Sequence, residues 1–177
     1  MEEKELIRSC LDGNLQDFKK IVDMYRGRVL AMAINILGNR EDAEDVCQDS
    51  FLRVYNNLDR FDFQKNFKDW LYTILYNCCM DVLRKRRRFF SYYQKKAGEI
   101  REVQRSKSEQ ASECQKLPQH FLQGLSPKER AAVVLWASES YTSEEIAGVL
   151  SCSPSTVRVY LYKARKKIKN LLEEKNV

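Results

Sequence analysis

Apolar residues recur along this chain at spacings of three and four, as in Leu15, Phe18, Ile21, Val22, Tyr25, Val29, Met32, Ala33 and Ile36. That is the period of a helix with one buried face. The period-two alternation of a half-buried strand is missing, so the predicted fold class is all-α. Gly13 with Asn14, and Gly38 with Asn39, each set a helix-stopping residue before a helix-starting one. A short helix, a long one, a third over about residues 41–58 and a fourth over about residues 67–87 are expected from these signals. Together they form an N-terminal four-helix bundle.

Apolar side chains then thin out. Between residues 94 and 118 most side chains are charged or small and polar, and Ala97, Ile100, Val103, Ala111 and Leu117 are too sparse to bury much surface, which predicts a flexible linker. Beyond it, Ser126-Pro127-Lys128-Glu129 and Thr142-Ser143-Glu144-Glu145 are capping boxes, and Ser153-Pro154 opens a further helix. The expected division is an N-terminal domain over residues 1–93, the linker over 94–118 and a C-terminal domain over 119–177.

Within the C-terminal part, a helix with Ile146, Ala147 and Leu150 inward is followed by the tight turn Ser151-Cys152-Ser153 and a longer helix from Pro154. This is a helix-turn-helix layout. Val157, Leu161, Ala164, Ile168 and Leu171 make one apolar stripe, leaving Ser155, Thr156, Arg158, Val159, Tyr162, Lys163 and Lys166 on the remaining surface. Early side chains of such a helix reach base edges in the major groove, and later lysines neutralise phosphates. An amphipathic helix with a solvated basic face would look similar, but residues 146–172 hold six Lys or Arg and no acid, which favours DNA. Tyr160 falls at the edge of the stripe, where packing is its expected role.

The fourth helix has Phe67, Trp70, Leu71, Ile74 and Cys78 inward, while Thr73, Asn77, Asp81 and Arg84 share another face. Those four can exchange hydrogen bonds with bases; they equally suit a solvated face. Arg84-Lys85-Arg86-Arg87-Arg88 follows, then Phe89, Phe90, Tyr92 and Tyr93, a pairing of cations and rings that suits phosphates and unpaired bases. The third helix places Ala43, Val46, Cys47, Phe51, Val54, Tyr55 and Leu58 inward and Asp42, Asp45, Gln48 and Asp49 outward. The helix dipole accounts for acids in the first turn. Asp49 lies too far along for that, and an acidic patch on a basic chain suggests docking of a basic protein helix.

Composition narrows the remaining classes. The net charge of +6 is segregated, with seven Lys or Arg and no acid over residues 82–98 and five acids without a base over residues 41–49, which suggests two anion-binding surfaces and one for a basic partner. No apolar run is long enough for a membrane span, and the acidic start lacks the order of a signal peptide. A cytoplasmic protein without direct membrane insertion is expected. Six cysteines without a CxxC pair and the lone His120 point to reduced thiols, with no metal site and no cofactor.

The run Asp42-Ala43-Glu44-Asp45-Val46-Cys47-Gln48-Asp49-Ser50-Phe51-Leu52-Arg53-Val54-Tyr55 resembles the polymerase-binding signature of extracytoplasmic-function sigma factors. Phe67, Trp70, Leu71, Ile74, Asn77, Asp81 and Arg84 at their spacings are similar to the promoter-melting helix of that family. Leu125-Ser126-Pro127-Lys128-Glu129-Arg130 and Glu144-Glu145-Ile146-Ala147 resemble openings in its C-terminal domain. The resemblance implies a sigma region 2 bundle that clamps a coiled coil of the largest core RNA polymerase subunit through Asp45, Gln48, Asp49 and Arg53. It implies −10 recognition and melting by the fourth helix, with Thr73, Asn77, Asp81, Arg84 and Lys85, and −35 recognition by Ser155, Thr156, Arg158, Val159, Tyr162, Lys163 and Lys166. Promoter DNA, core polymerase and an anti-sigma factor are the implied partners, with no small-molecule substrate and no catalysis. Ser151 and Ser155 stand where the family commonly has glycine, and Val159-Tyr160 replaces a frequent Ser-Arg.

Two other classes remain on the residues alone. A stand-alone helix-turn-helix repressor would need a dimerisation helix and a palindromic operator. A nuclease would need Glu41, Asp42, Asp45 and Asp49 to gather around Mg²⁺.

Overall fold

The computed structural model describes residues 3–96, 119–122 and 124–174. The helices are α1 (Glu3–Leu11), α2 (Leu15–Leu37), α3 (Arg40–Asn56), α4 (Phe67–Lys96), α5 (Gln119–Leu122), α6 (Pro127–Glu139), α7 (Ser143–Leu150) and α8 (Pro154–Glu174), with a 3-10 turn at Leu58–Arg60. Among the described residues there is no strand. Of the expected linker, residues 97–118 lie outside the described residues.

Local chemistry sets the boundaries. Gly13 and Gly38 take left-handed φ values of 92° and 69°, and the side chains of Asn14 and Asn39 then accept from the N–H groups of Gln16 and Asp42, filling donors that a helix start leaves open. Both capping boxes form, Ser126 with Glu129 and Thr142 with Glu145. Asp17, buried in the first turn of α2, receives Ser9 Oγ at 2.6 Å and Lys20 Nζ at 2.7 Å, tying α1 to α2. The bonds from Lys20 and Ser9 hold its carboxyl below the usual range.

Two expectations change. The fourth helix does not stop near residue 87 but continues to Lys96, because the basic run has good helix propensity and no Gly or Pro interrupts it. Tyr55, expected inward, is 39 % exposed and rests edge-on against Phe18, ring centroids 5.0 Å apart.

A larger feature is not visible helix by helix. α4 buries the expected Phe67, Leu71 and Cys78 but also Tyr72, Leu75, Tyr76 and Cys79. One face packs on α2 and α3, the other on α7, while α6 lies on α2. The apolar core therefore runs without a break from Ile7, Ile21 and Leu71 into Leu135, Ile146 and Val157.

Candidate polymerase-docking and nucleic-acid surfaces

α3 turns Ala43, Val46, Cys47 and Val54 into the core, so its opposite side is left to water. Asp45, Gln48 and Arg53 are exposed there and Asp49 is half-buried. Arg53 Nε meets Asp49 at 2.9 Å, one turn back, and its Nη1 lies 3.8 Å from Asp81 on α4. Asp42, at the start of the same helix, pairs with Arg86 instead. Among the described residues no group of three or more acids, cysteines or histidines could hold a metal ion, so the carboxylates proposed above for a nuclease do not converge.

On α4, Asn77, Arg84 and Lys85 are exposed, and Thr73 and Asp81 are half-buried. The Thr73 hydroxyl donates to the Asp69 carbonyl at 2.8 Å, so it is turned back on its own helix. Asp81 accepts from Arg84 at 2.8 Å while facing Arg53. The structure thus brings together Asp49, Arg53, Asp81 and Arg84, two residues expected at a protein interface and two at a DNA interface, in one chain of opposite charges. Spacing along each helix could not show this, since Arg53 and Asp81 meet only once α3 and α4 pack.

In the C-terminal part, Ser151 ends α7 with a left-handed φ of 51°, doing with a side chain what glycine does freely. Ser153 caps α8: its hydroxyl accepts from the Thr156 N–H at 3.2 Å and lies 2.9 Å from Ser155 Oγ and 2.8 Å from Thr156 Oγ1. The hydroxyls of Ser155 and Thr156 are therefore engaged in the cap. Arg158, Val159, Tyr162, Lys163 and Lys166 are exposed, with Tyr162 at 69 % and Val159 at 47 %. Arg158 is held by Glu144 of α7 at 2.9 Å. Glu144 is a residue that sequence reasoning missed, because an acid in a first helical turn looks like a dipole partner. Tyr160 is half-buried against the core. Burial pushes its neighbour Tyr76 on α4 up to about 12.

Two families match the chain in order: Sigma-70 region 2 over residues 21–89 and Sigma-70 region 4 over residues 119–168. The ECF RNA polymerase sigma factor SigW of Bacillus subtilis (strain 168) is 26 % identical, covering 97 % of this chain and 97 % of its own. RNA polymerase sigma factor CarQ of Myxococcus xanthus is 30 % identical, covering 92 % of this chain and 93 % of its own. Among solved structures, the sigma factor RpoE in complex with the anti-sigma factor NepR from Bartonella quintana superposes with a TM-score of 0.72 at 28 % identity. That match covers 89 % of this chain and 98 % of the other.

Proposed function

The chain belongs to the extracytoplasmic-function family of RNA polymerase sigma factors, and from that premise we propose how its surfaces divide the work. It binds core RNA polymerase and directs promoter-specific transcription initiation. In our assignment Asp45, Gln48, Asp49 and Arg53 of α3 dock on a coiled coil of the largest polymerase subunit. Thr73, Asn77, Asp81, Arg84 and Lys85 of α4 contact and open the −10 element. Arg158, Val159, Tyr162, Lys163 and Lys166 of α8 meet the −35 element, with Ser155 and Thr156 at the helix start. The corresponding division is residues 1–93 for docking and melting, 94–118 as a connector and 119–177 for the −35 element.

What carries this assignment is the meeting of α3 and α4. Arg53 and Asp81 join the two exposed faces into one surface, so a basic helix lying on α3 leaves Asn77 and Arg84 open to a strand beside it. Arg84, Lys85, Arg87 and Arg88 continue past Asn77 and are exposed, where they can neutralise phosphates of the melted strand.

An anti-sigma factor is a further proposed partner, supported by the Bartonella quintana sigma factor, whose structure holds one. Sigma factors are non-catalytic initiation factors, and we infer that this chain performs no chemistry of its own. Among the described residues no helix is long and apolar enough to cross a membrane; we place its action in the cytoplasm, beside the polymerase.

The test uses reconstituted holoenzyme. Asp45→Ala with Gln48→Ala should weaken association with core at unchanged circular dichroism. Asn77→Ala should leave that association near normal but lower permanganate reactivity of −10 thymines, and a template already mismatched over −10 should restore transcription. Wild-type core affinity in the first variant, or wild-type thymine reactivity in the second, would remove the corresponding assignment.

A further inference from the structure

The outer face of α8 is divided between side chains that are engaged and side chains that are open. Ser153 Oγ accepts from the Thr156 N–H and lies within 2.9 Å of the hydroxyls of Ser155 and Thr156, so the polar groups of the first turn close on the helix start. Arg158 is held by Glu144 of α7 at 2.9 Å and reaches a base only by giving that partner up. Val159 and Tyr162 remain. Each stands two positions from a fully buried residue, Val157 or Ala164, which at about 100° per residue turns it about 200° away from the core. Both are exposed, and so are Lys163 and Lys166 beside them.

Val159 carries no side-chain donor or acceptor. Pressed on a guanine or cytosine edge it would displace water from N7, O6 or N4 and return no hydrogen bond, leaving those groups unpaired at a cost. Thymine offers an apolar group in the major groove, its C5 methyl, and contact with it removes apolar surface of both partners from water. The Tyr162 ring does the same over a wider area. Three residues separate the two side chains by about 4.5 Å along the helix axis, against a rise of about 3.4 Å per base pair, so they meet neighbouring pairs. A protein helix could also cover two exposed apolar side chains, but residues 146–172 carry six Lys or Arg and no acid, a frame that fits the phosphates along a groove.

We propose that Val159 and Tyr162 are the specificity-determining residues of α8 and that they recognise the C5 methyl groups of thymines in two neighbouring base pairs of the −35 element. The inference rests on the assignment of α8 to that element. It makes the −35 preference a matter of apolar contact. Lys163 and Lys166 supply affinity for any sequence, and Arg158 contributes only once released from Glu144.

The test uses holoenzyme reconstituted from the full chain and core polymerase, with binding to promoter duplexes measured by competition at fixed salt. Selection from a pool randomised over the −35 element should return thymines at two neighbouring pairs. Replacing those thymines by uracil removes the methyl groups and keeps every hydrogen-bonding group, and should weaken binding about fourfold for each. Cytosine at the same positions should bind more weakly than 5-methylcytosine. Val159→Ala should lose most of the uracil penalty at one position and Tyr162→Ala at the other, whereas Tyr162→Phe, which keeps the ring, should retain it. Lys163→Ala should weaken the thymine and uracil promoters alike. Equal binding of thymine and uracil promoters by wild type overturns the proposal, as does a penalty that survives in both alanine variants. If a scrambled −35 element binds as well as the selected one, the assignment of α8 fails and takes this proposal with it; a selected element that is preferred yet indifferent to the methyls removes only the thymine contacts.

Discussion

Arg53 holds two carboxylates at unequal reach, Asp49 on its own helix and Asp81 across the helix pair, and Asp81 also accepts from Arg84. All four side chains keep substantial contact with water, 39–64 % exposed, so each pair contributes little to folding, about 0–1 kcal/mol. Arg53→Ala should therefore lower unfolding free energy in urea by less than about 1 kcal/mol; a loss above 2 kcal/mol would mean that the network is screened from water. Glu144 illustrates the same economy at α8. It holds Arg158 at 2.9 Å and puts a negative charge beside the face we assign to the −35 element. Glu144→Gln should tighten binding to a −35 duplex by about threefold, a gain of the size that exposed charges give. Fluorescence anisotropy at fixed salt reads it, and unchanged affinity would mean that Arg158 does not leave Glu144 for the base. Ser151 stores strain of a different kind, since a left-handed residue with a Cβ is disfavoured. Ser151→Gly should raise stability by roughly 0.5–1 kcal/mol, with the melting temperature as the measure and a decrease as the contrary result.

At the scale of elements, α6 shows how a cap becomes a pH-sensitive joint. Glu129 is buried, accepts the Ser126 N–H at 2.8 Å and pairs with Lys167 of α8 at 2.8 Å. Burial pushes its carboxyl up, but the bonds from Lys167 and Ser126 outweigh it, and the group ends below the usual glutamate range. A lowered carboxyl stabilises the fold above its unfolded value, and that contribution is lost as pH falls through the folded one. Urea midpoints of wild type and Glu129→Gln should thus differ most near neutrality and converge under acid; a gap that stays constant from pH 7 to pH 3 would exclude this role. The cap itself was plain in the sequence, because Ser126, Pro127 and Glu129 act within one turn. So were the αL glycines and the stripes of α3 and α8. The Lys167 partner was not, and neither was the second buried face of α4. Tyr72, Tyr76 and Cys79 are apolar enough to announce a stripe, yet their neighbours on α7 lie some seventy residues away, and no local pattern states which helix will cover them. Asp81 shows the same limit: its period places it on the face with Asn77, and only the packing of α3 on α4 reveals its ion pair with Arg53.

For the molecule as a whole, a core continuous between the halves couples their stabilities, and independent unfolding would require exposing Leu135 and Tyr72 to water. Wild type should therefore melt in one calorimetric transition; two transitions would deny the coupling. The Asp69–Tyr141 pair, 72 residues apart in sequence, also bears on how the chain is made. Within each half most helix contacts join near neighbours and form early, whereas contacts of this separation carry a large loop-closure cost and form late. On the ribosome α4 is complete when Lys96 has emerged, and 54 residues must still be added before α7 ends at Leu150. At about 5–20 residues per second that takes roughly 3–11 s. Throughout that interval the nascent chain presents Tyr72, Tyr76 and Cys79 without their α7 cover, a sticky strip on an otherwise finished bundle that must wait for its own second half.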